Sequence, residues 1–414
     1  MALNNVTARG SRNSDTGNSM IIRAMDPKVY QKRANFAFFV TLLRLIQMRR
    51  TAAKENKSGM VYGSKLQNVD NPKYEWSNID LGTPTDTVTT GIAASTGATS
   101  LVVGNISQWT AGDIFINLTT KERCLVTAVT TGTSTLTITR QWGNSDDLAA
   151  PAVAVMTAGD ILALVGNAFE ENADAPSPMS FSPDEFFNYT QIFSRTTGSS
   201  GTNEASKFYG DVNTLQFQKR EMWNLFLKMR SAAYFRGVRN KTTGTNGQPL
   251  RTTAGLEQLI TSNISDLDGG MSYMDFIDFA EKVYGYGGEE KTMICNSAMA
   301  TLIQKEVLES KGLQLAISPN AKVYGIKIDR LTTIHGDFDF AVDRTLNELY
   351  PKTLAVGFAL EMELIEENVL RPDIWKENVQ ERKTDGRVDQ AIGECGLKLI
   401  NEERHGIITV DLSK

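Results

Sequence analysis

The residues whose types could carry chemistry in this 414-residue chain are two histidines, three cysteines and a few clustered carboxylates. His335 stands in Ile334-His335-Gly336-Asp337 and His405 in Arg404-His405-Gly406. Both read as turn residues, and neither has a Cys or His neighbour at metal-ligand spacing. Cys124, Cys295 and Cys395 are odd in number and far apart, so they give no disulfide framework and read as buried small hydrophobes. Glu361 and Glu363 would project from one face of a strand, with Met362 and Leu364 on the other. A paired-acid mechanism needs one carboxyl desolvated and shifted. Glu366 and Glu367 instead extend the charge outward, so an exposed or inter-subunit acidic face is expected. Glu170, Glu171 and Asp174 lack a calcium-loop pattern. Gly198-Ser199-Ser200-Gly201 lacks the strand–nucleophile–helix setting of a nucleophile elbow, and no P-loop, zinc spacing or dinucleotide fingerprint is present. The expectation is a chain with no catalytic, cofactor or metal site, and not an enzyme.

Charge offers binding where reaction chemistry is lacking. Residues 1–65 hold twelve Lys/Arg and three Asp/Glu, a local +9. The whole chain carries -5, so the remainder carries -14. A basic arm on an acidic body suits a polyanion or an acidic neighbour. Arg9, Arg12, Arg23, Lys32 and Arg33 are the candidates for that contact; a solvated helix face is the alternative for the same charges. No recognition-helix or single-strand-binding motif accompanies them, so contact with nucleic acid would be electrostatic and blind to sequence.

The elements that must position these groups follow from pattern. Residues 1–25 read as an arm, and Asp26-Pro27 starts a helix running to about Glu55. Its apolar residues Phe36, Val40, Leu43 and Ile46 lie on one side. The longest apolar stretch, Phe36–Met48, is interrupted by Thr41, Arg44 and Gln47 and is too short to span a bilayer, so no membrane partner is expected. Met1–Asn18 lacks the apolar core of a secretory leader. Met60–Leu81 looks extended, with Tyr62, Tyr74 and Trp76 among polar residues. Residues 83–165 are rich in Thr, Val, Gly and Ala. Thr99–Val103, Asp113–Leu118, Cys124–Val129, Thr135–Thr139 and Ile161–Val165 are its candidate strands, arguing a small barrel or sandwich. From Asn188 a strand-like lead and a Gly/Ser/Thr turn precede one long helix ending at Gly237. Phe208, Val212, Leu215, Met222, Phe226, Met229 and Ala233 form its stripe, broken only by Lys219. Such a helix would be about 50 Å long. Residues 255–348 then alternate, with helices at Asp275–Val283 and Ser297–Glu309 and strands at Lys291–Cys295, Val323–Ile328 and Phe338–Val342. Strands Thr353–Ile365, Val379–Thr384 and Gln390–Leu399 are expected to pack under the long helix.

Several segments together resemble one family. They are Lys73–Trp76 (KYEW), the long-helix segment Asn188–Gly237, Ala254–Asn263 (AGLEQLITSN), Ile294–Asn296 before a helix, and Val323–Asp343 (VYGIKIDRLTTIHGDFDFAVD). Their order and spacing resemble tailed-phage major capsid proteins of the Hong Kong 97-type fold, in the branch with a small β-domain inserted before the spine helix. The resemblance covers most of the chain and rests on diffuse patterns. It implies an α+β fold with a spine helix, an extended β-hairpin loop reaching over a neighbour, and peripheral and axial domains. It also implies assembly as hexamers and pentamers on an icosahedral lattice around double-stranded DNA. An encapsulin-type compartment, which shares that fold, is the alternative.

On that basis residues 1–57 are expected as the basic arm and helix, 58–82 and 166–200 as the extended hairpin, and 83–165 as the inserted β-domain. Residues 201–240 with 350–414 would be the peripheral domain and 241–349 the axial α/β domain. Tyr74, Trp76 and Trp223 are the candidate subunit-contact aromatics. The expected partners are copies of the chain, non-specifically bound DNA, a portal, and scaffold or decoration proteins. The expected location is the capsid of a virion assembled in the host cytoplasm.

Overall fold

The computed structural model describes residues 38–44, 67–79, 84–143, 153–171, 183–206, 215–309, 322–323, 326–327, 329–381 and 384–413. The chain is mixed helix and strand, the α+β class expected, and divides into two compact units, Ser77–Glu185 and the remainder. The first strands are β1 (Gln67–Asn68) and β2 (Lys73–Asn78).

The smaller unit carries β3 (Thr85–Thr90), β4 (Ser100–Val103), β5 (Asp113–Asn117), β6 (Arg123–Thr130), β7 (Thr135–Thr139) and β8 (Ile161–Asn167). They close into an antiparallel barrel in the order β3-β4-β7-β6-β5-β8. Alternation along each strand decides which side chains turn inward. Val88, Leu101, Phe115, Val126, Leu136, Ile138 and Leu162 are buried, while Thr87, Thr127, Thr137 and Thr139 face solvent. Trp109 lies edge-on to Phe115 at 5.5 Å and donates its indole N–H to Asp86 Oδ2 at 2.8 Å. Arg140 and Glu122, both buried, pair at 2.6 Å, and Arg140 also donates to the carbonyls of Ala93 and Ala154, tying the connecting loops to the barrel wall.

In the larger unit β9 (Asp184–Tyr189) pairs with β2, and β10 (Gln191–Ser199) follows it. The helix Leu215–Arg236 comes next, then a hairpin of β11 (Asn240–Thr243) and β12 (Pro249–Thr252). A six-stranded sheet comprises β13 (Ile264–Asp268), β14 (Glu290–Cys295), β17 (Asp329–Thr332), β18 (Asp337–Val342), β19 (Leu354–Leu360) and β22 (Gly406–Asp411), in the order β13-β22-β19-β14-β18-β17. The short β15 (Lys322–Val323) and β16 (Ile326–Lys327) pair with each other. Finally β20 (Ile365–Lys376) and β21 (Arg387–Leu399) complete a four-stranded sheet, β1-β20-β21-β10.

The long helix packs on the four-stranded sheet. Phe226, Tyr234 and Phe235 meet Phe193, Ala391, Cys395 and Leu397 in one core, joined by Phe39, Val40 and Leu43 of the 38–44 helix. Each large apolar side chain so buried contributes about 1.5–3 kcal/mol. The six-stranded sheet has its own core, with Phe276, Phe279 and Val283 of helix Tyr273–Tyr284 against Met293, Phe338 and Ile408. That helix starts with a Ser272/Asp275 capping box, two reciprocal bonds that satisfy its first N–H groups.

The structure departs from the sequence expectations at several places. The long helix is not continuous from the Gly/Ser/Thr turn. A short helix, Gly201–Ala205, stops at Ser206, whose backbone is extended at ψ 139°. The Ser206 hydroxyl donates to the Thr202 carbonyl at 2.7 Å, the local bond by which serine competes with helix propagation. Phe208 and Val212 of the expected stripe lie outside the described residues. Residues 350–414 do not belong wholly with the long helix, because β19 and β22 lie inside the six-stranded sheet. The reason is composition: β19 reads LAVGFAL and is buried almost throughout, as only a strand covered on both faces can be. The strand expected over Thr353–Ile365 stops at Leu360, and a 3-10 turn at Met362–Leu364 takes Glu361 and Glu363 off any common strand face. Val379–Thr384 is no strand over its described part. Asn378 has φ 54°, which ends β20, and Val379 then donates its N–H to the Val388 carbonyl at 2.8 Å.

Candidate assembly surfaces

The long helix is fixed to the sheet by charge as well as by apolar contact. Phe226, Arg230 and Tyr234 fall at i, i+4 and i+8, which is one helix face. The Arg230 side chain is fully buried. Its Nη1 lies 2.9 Å from Asp373 Oδ2 and 3.2 Å from Glu367 Oε1, and its Nη2 pairs with Asp373 Oδ1. Tyr234 donates its hydroxyl to Glu367 Oε1 at 2.8 Å. Arg44, on the 38–44 helix, donates Nε to Glu367 Oε2 at 2.8 Å and Nη2 to Asp373 Oδ2 at 2.9 Å. Gly393 leaves room for this cluster, since a Cβ there would collide with the Asp373 carboxylate. Two arginines and two carboxylates make the cluster neutral. Burial works against every charge in it, but the ion pairs and hydrogen bonds outweigh that. Both arginines are held above their ordinary pKa, and Glu367 and Asp373 below theirs. The cluster therefore joins three separate stretches of chain: the N-terminal helix, the long helix and β20.

This cluster corrects the expected outward face of Glu366 and Glu367. Both are buried, and Glu366 takes Lys398 at 3.2 Å. The helix stripe expected through Met229 and Ala233 also turns slightly, because Arg230 lies between Phe226 and Tyr234 on the buried side. The signal was present: an arginine four residues from each of two aromatics shares their face, and two acids in one downstream strand can neutralise it.

The candidate aromatics are not equivalent. Tyr74 is buried and donates its hydroxyl to the Leu397 carbonyl at 2.7 Å, so it is spent within its own subunit. Trp76 is half-buried, stacked between Tyr74 and Phe186 at 6.1 and 6.2 Å. Trp223 is half-buried against Phe226 and Trp375, at 5.4 and 6.0 Å. Arg9, Arg12, Arg23, Lys32 and Arg33 lie outside the described residues. The face of the four-stranded sheet away from the helix exposes Ile192 and Ile374, and Leu225 is exposed on the helix itself.

Most of the candidate reactive groups are engaged in structure. His335 is exposed in a turn between β17 and β18. His405 is fully buried; its Nδ1 accepts the Glu361 N–H at 3.2 Å, so Nε2 carries the proton and faces the Ile400 carbonyl at 3.3 Å. Burial drives its pKa down to about 3. Buried Lys291 donates to the carbonyls of Val283, Tyr286 and Arg404, and burial brings it down to about 8. Glu361 pairs with Arg404 at 3.3 Å. All three cysteines are buried, and burial pushes Cys124 and Cys295 up to about 12, far from a nucleophilic thiolate. Among the described residues no group of three or more His, Cys, Asp or Glu could hold a metal, and no helix is long and apolar enough to cross a membrane. Among the described residues the arrangement is one of surfaces on a charge-braced frame.

Comparison with known proteins gives these surfaces a context. The family model for the SU10 major capsid protein matches residues 59–411. A major capsid protein of Pseudomonas phage PaMx41 is 30% identical over 192 residues, which span 45% of this chain and 44% of that protein. Among solved structures, the capsid of Myoviridae phage XM1 is similar over 59% of this chain and 81% of its own, with 10% identity and a TM-score of 0.38. The holo-SrpI encapsulin complex from Synechococcus elongatus is similar over 56% of this chain and 78% of its own, with 9% identity and a TM-score of 0.37.

Proposed function

The chain belongs to the SU10 major capsid protein family, and from that premise we propose that it forms the icosahedral head of a tailed double-stranded-DNA phage. The observation that carries this is the family match itself, which runs from residue 59 to residue 411. The subunit works mechanically, without catalysis, as hexamers and pentamers of the one chain in a virion assembled in the host cytoplasm. Its frame supports the reading. The long helix and β20 are bolted together by buried ion pairs, which suits a part that must transmit load. Packaged DNA, a portal, and scaffold or decoration proteins are the further partners.

In this reading Arg9, Arg12 and Arg23 of the basic N-terminal arm face the shell interior, on DNA or on the acidic flank of a neighbour. Trp76 and Trp223 contribute to contacts between copies, and the barrel is an inserted outer module. Deleting residues 2–25 tests the arm. Normal empty shells with poor genome retention support DNA contact, which also weakens steeply with salt as counterions are released. Loss of assembly without DNA supports docking on a neighbour. Unchanged assembly and packaging sink both. The nucleic-acid content of purified particles separates a phage head from a compartment filled with protein cargo.

A further inference from the structure

We propose that the β11–β12 hairpin is a basic finger that docks on the open backbone edge of β13, beside its two acids, in a second copy of this chain. The inference rests on the shell reading above and names one contact within it.

The finger leaves the end of the long helix. Its stem is closed by the Gly255 N–H on the Gly237 carbonyl at 2.8 Å, and a Cβ on Gly237 would collide with the carbonyls of Ala233 and Thr253. Beyond that stem, every residue of β11 is exposed. Leu250 is 56% exposed and Val238 62%. A two-stranded ribbon with so little cover is marginal by itself. Its charges make it worse. Residues 238–252 (VRNKTTGTNGQPLRT) hold Arg239, Lys241 and Arg251 and no Asp or Glu. Arg239 is engaged, stacked on Phe187 at 4.0 Å and donating to the Phe187 carbonyl at 2.6 Å. Lys241 and Arg251 face each other directly in the register. Like charges so placed oppose the pairing. Neither has an ion-pair partner among the described residues.

The complementary edge lies elsewhere in the same chain. Among the described residues β13 ends the six-stranded sheet, pairing only with β22, as β11 pairs only with β12. The two free edges therefore do not meet within one subunit. Ile264, Asp266 and Asp268 alternate on the exposed face of β13, and Leu267 on the other face packs against the core of that sheet. Asp266 also accepts the Thr409 hydroxyl. Residues 263–270 (NISDLDGG) contain two acids and no base.

Adding β11 to this edge extends the sheet by main-chain hydrogen bonds. The strand period of two then sorts the side chains. Lys241, with Arg251 across from it, falls on the face of Asp266 and Asp268. Leu250 falls on the opposite face, the one that Leu267 occupies. The contact joins unlike patches, finger to edge, so it passes from each copy to the next around a ring.

Charge reversal tests it in the full-length chain. Lys241→Glu with Arg251→Glu should raise the concentration needed for assembly at least tenfold, by light scattering at low salt. Asp266→Lys with Asp268→Lys should do the same. The four changes combined in one chain should restore assembly. Reversals that leave assembly at the wild-type concentration overturn the inference while the shell reading stands. A loss that the combined swap does not rescue also overturns it. Wild-type protein that never assembles removes the shell reading and the inference with it. A second measurement does not depend on the reversed variants folding. Lys241→Cys with Asp266→Cys should give cross-linked ladders when assembled protein is oxidised, since the native cysteines are buried. Monomers alone on a non-reducing gel contradict the contact.

Discussion

At the scale of single residues the frame depends on a few buried groups whose loss is expensive. Glu367 holds Arg230, Arg44 and Tyr234 at once with its side chain fully buried. Glu367→Gln strips that charge and leaves the arginines with Asp373 alone. The expected loss is about 3–5 kcal/mol, the cost of breaking a buried pair. Arg236→Ala, which removes a half-exposed pair with Glu257, should cost under about 1 kcal/mol. Denaturant unfolding of the two variants side by side checks the contrast, and equal losses would refute it. His405 gives a pH dependence with a definite sign. The folded chain keeps it neutral down to about pH 3, whereas the unfolded chain protonates it near 6.5. Its contribution is thus intact above pH 6.5 and is lost as pH falls through 6.5 toward 3, at up to about 1.4 kcal/mol per pH unit. His405→Gln should flatten the fall in stability between pH 7 and 5, a window above the ordinary carboxylate range. An unchanged slope in the variant would rule His405 out as its cause. These groups were hard to see in the sequence. His405 looked like a turn histidine because Gly406 follows it, and nothing local says that the turn is covered by Glu361 and Ile400. Glu366 and Glu367 looked like surface charge because their partners, Lys398 for the first and Arg44 and Arg230 for the second, lie far away along the chain.

At the scale of elements, legibility follows the strength of local pattern. The helix Ser297–Glu309 and the strand Glu290–Cys295 coincide with or lie within one residue of the sequence expectation, because each carries a strong period and a clear boundary. β20 was missed beyond Ile365 because Glu366, Glu367 and Asn368 break an apolar alternation; the basic partners of the two acids, Lys398 for Glu366 and Arg44 and Arg230 for Glu367, are tertiary. The break at Ser206 was missed because the helix was extended back from a stripe that begins only at Phe208, and a periodicity argument has no view of one serine hydroxyl. The barrel has a core of its own, a buried cluster around Phe115, Val126 and Leu136. Replacing residues 86–160 with a short Gly/Ser linker should leave the larger unit with a cooperative melting transition in circular dichroism. A replacement that abolishes that transition would mean the two units do not fold separately.

At the scale of the whole molecule, the chain carries more interaction surface than a monomer needs. Among the described residues β11 and β13 stand at sheet edges, an exposed ribbon has opposed like charges, and Ile192, Ile374 and Leu225 are exposed beside the charge-braced frame. Membership of a major capsid protein family gives these features one explanation: the subunit is completed by its neighbours. That explanation was legible from the order of segments and not from any reactive motif, since a shell is specified by surfaces spread over the chain. The most direct measurement is cryo-electron imaging of the purified full-length protein at micromolar concentration. The account predicts closed icosahedral shells built from pentamers and hexamers of this chain. A well-behaved, stable monomer with no tendency to assemble would contradict it.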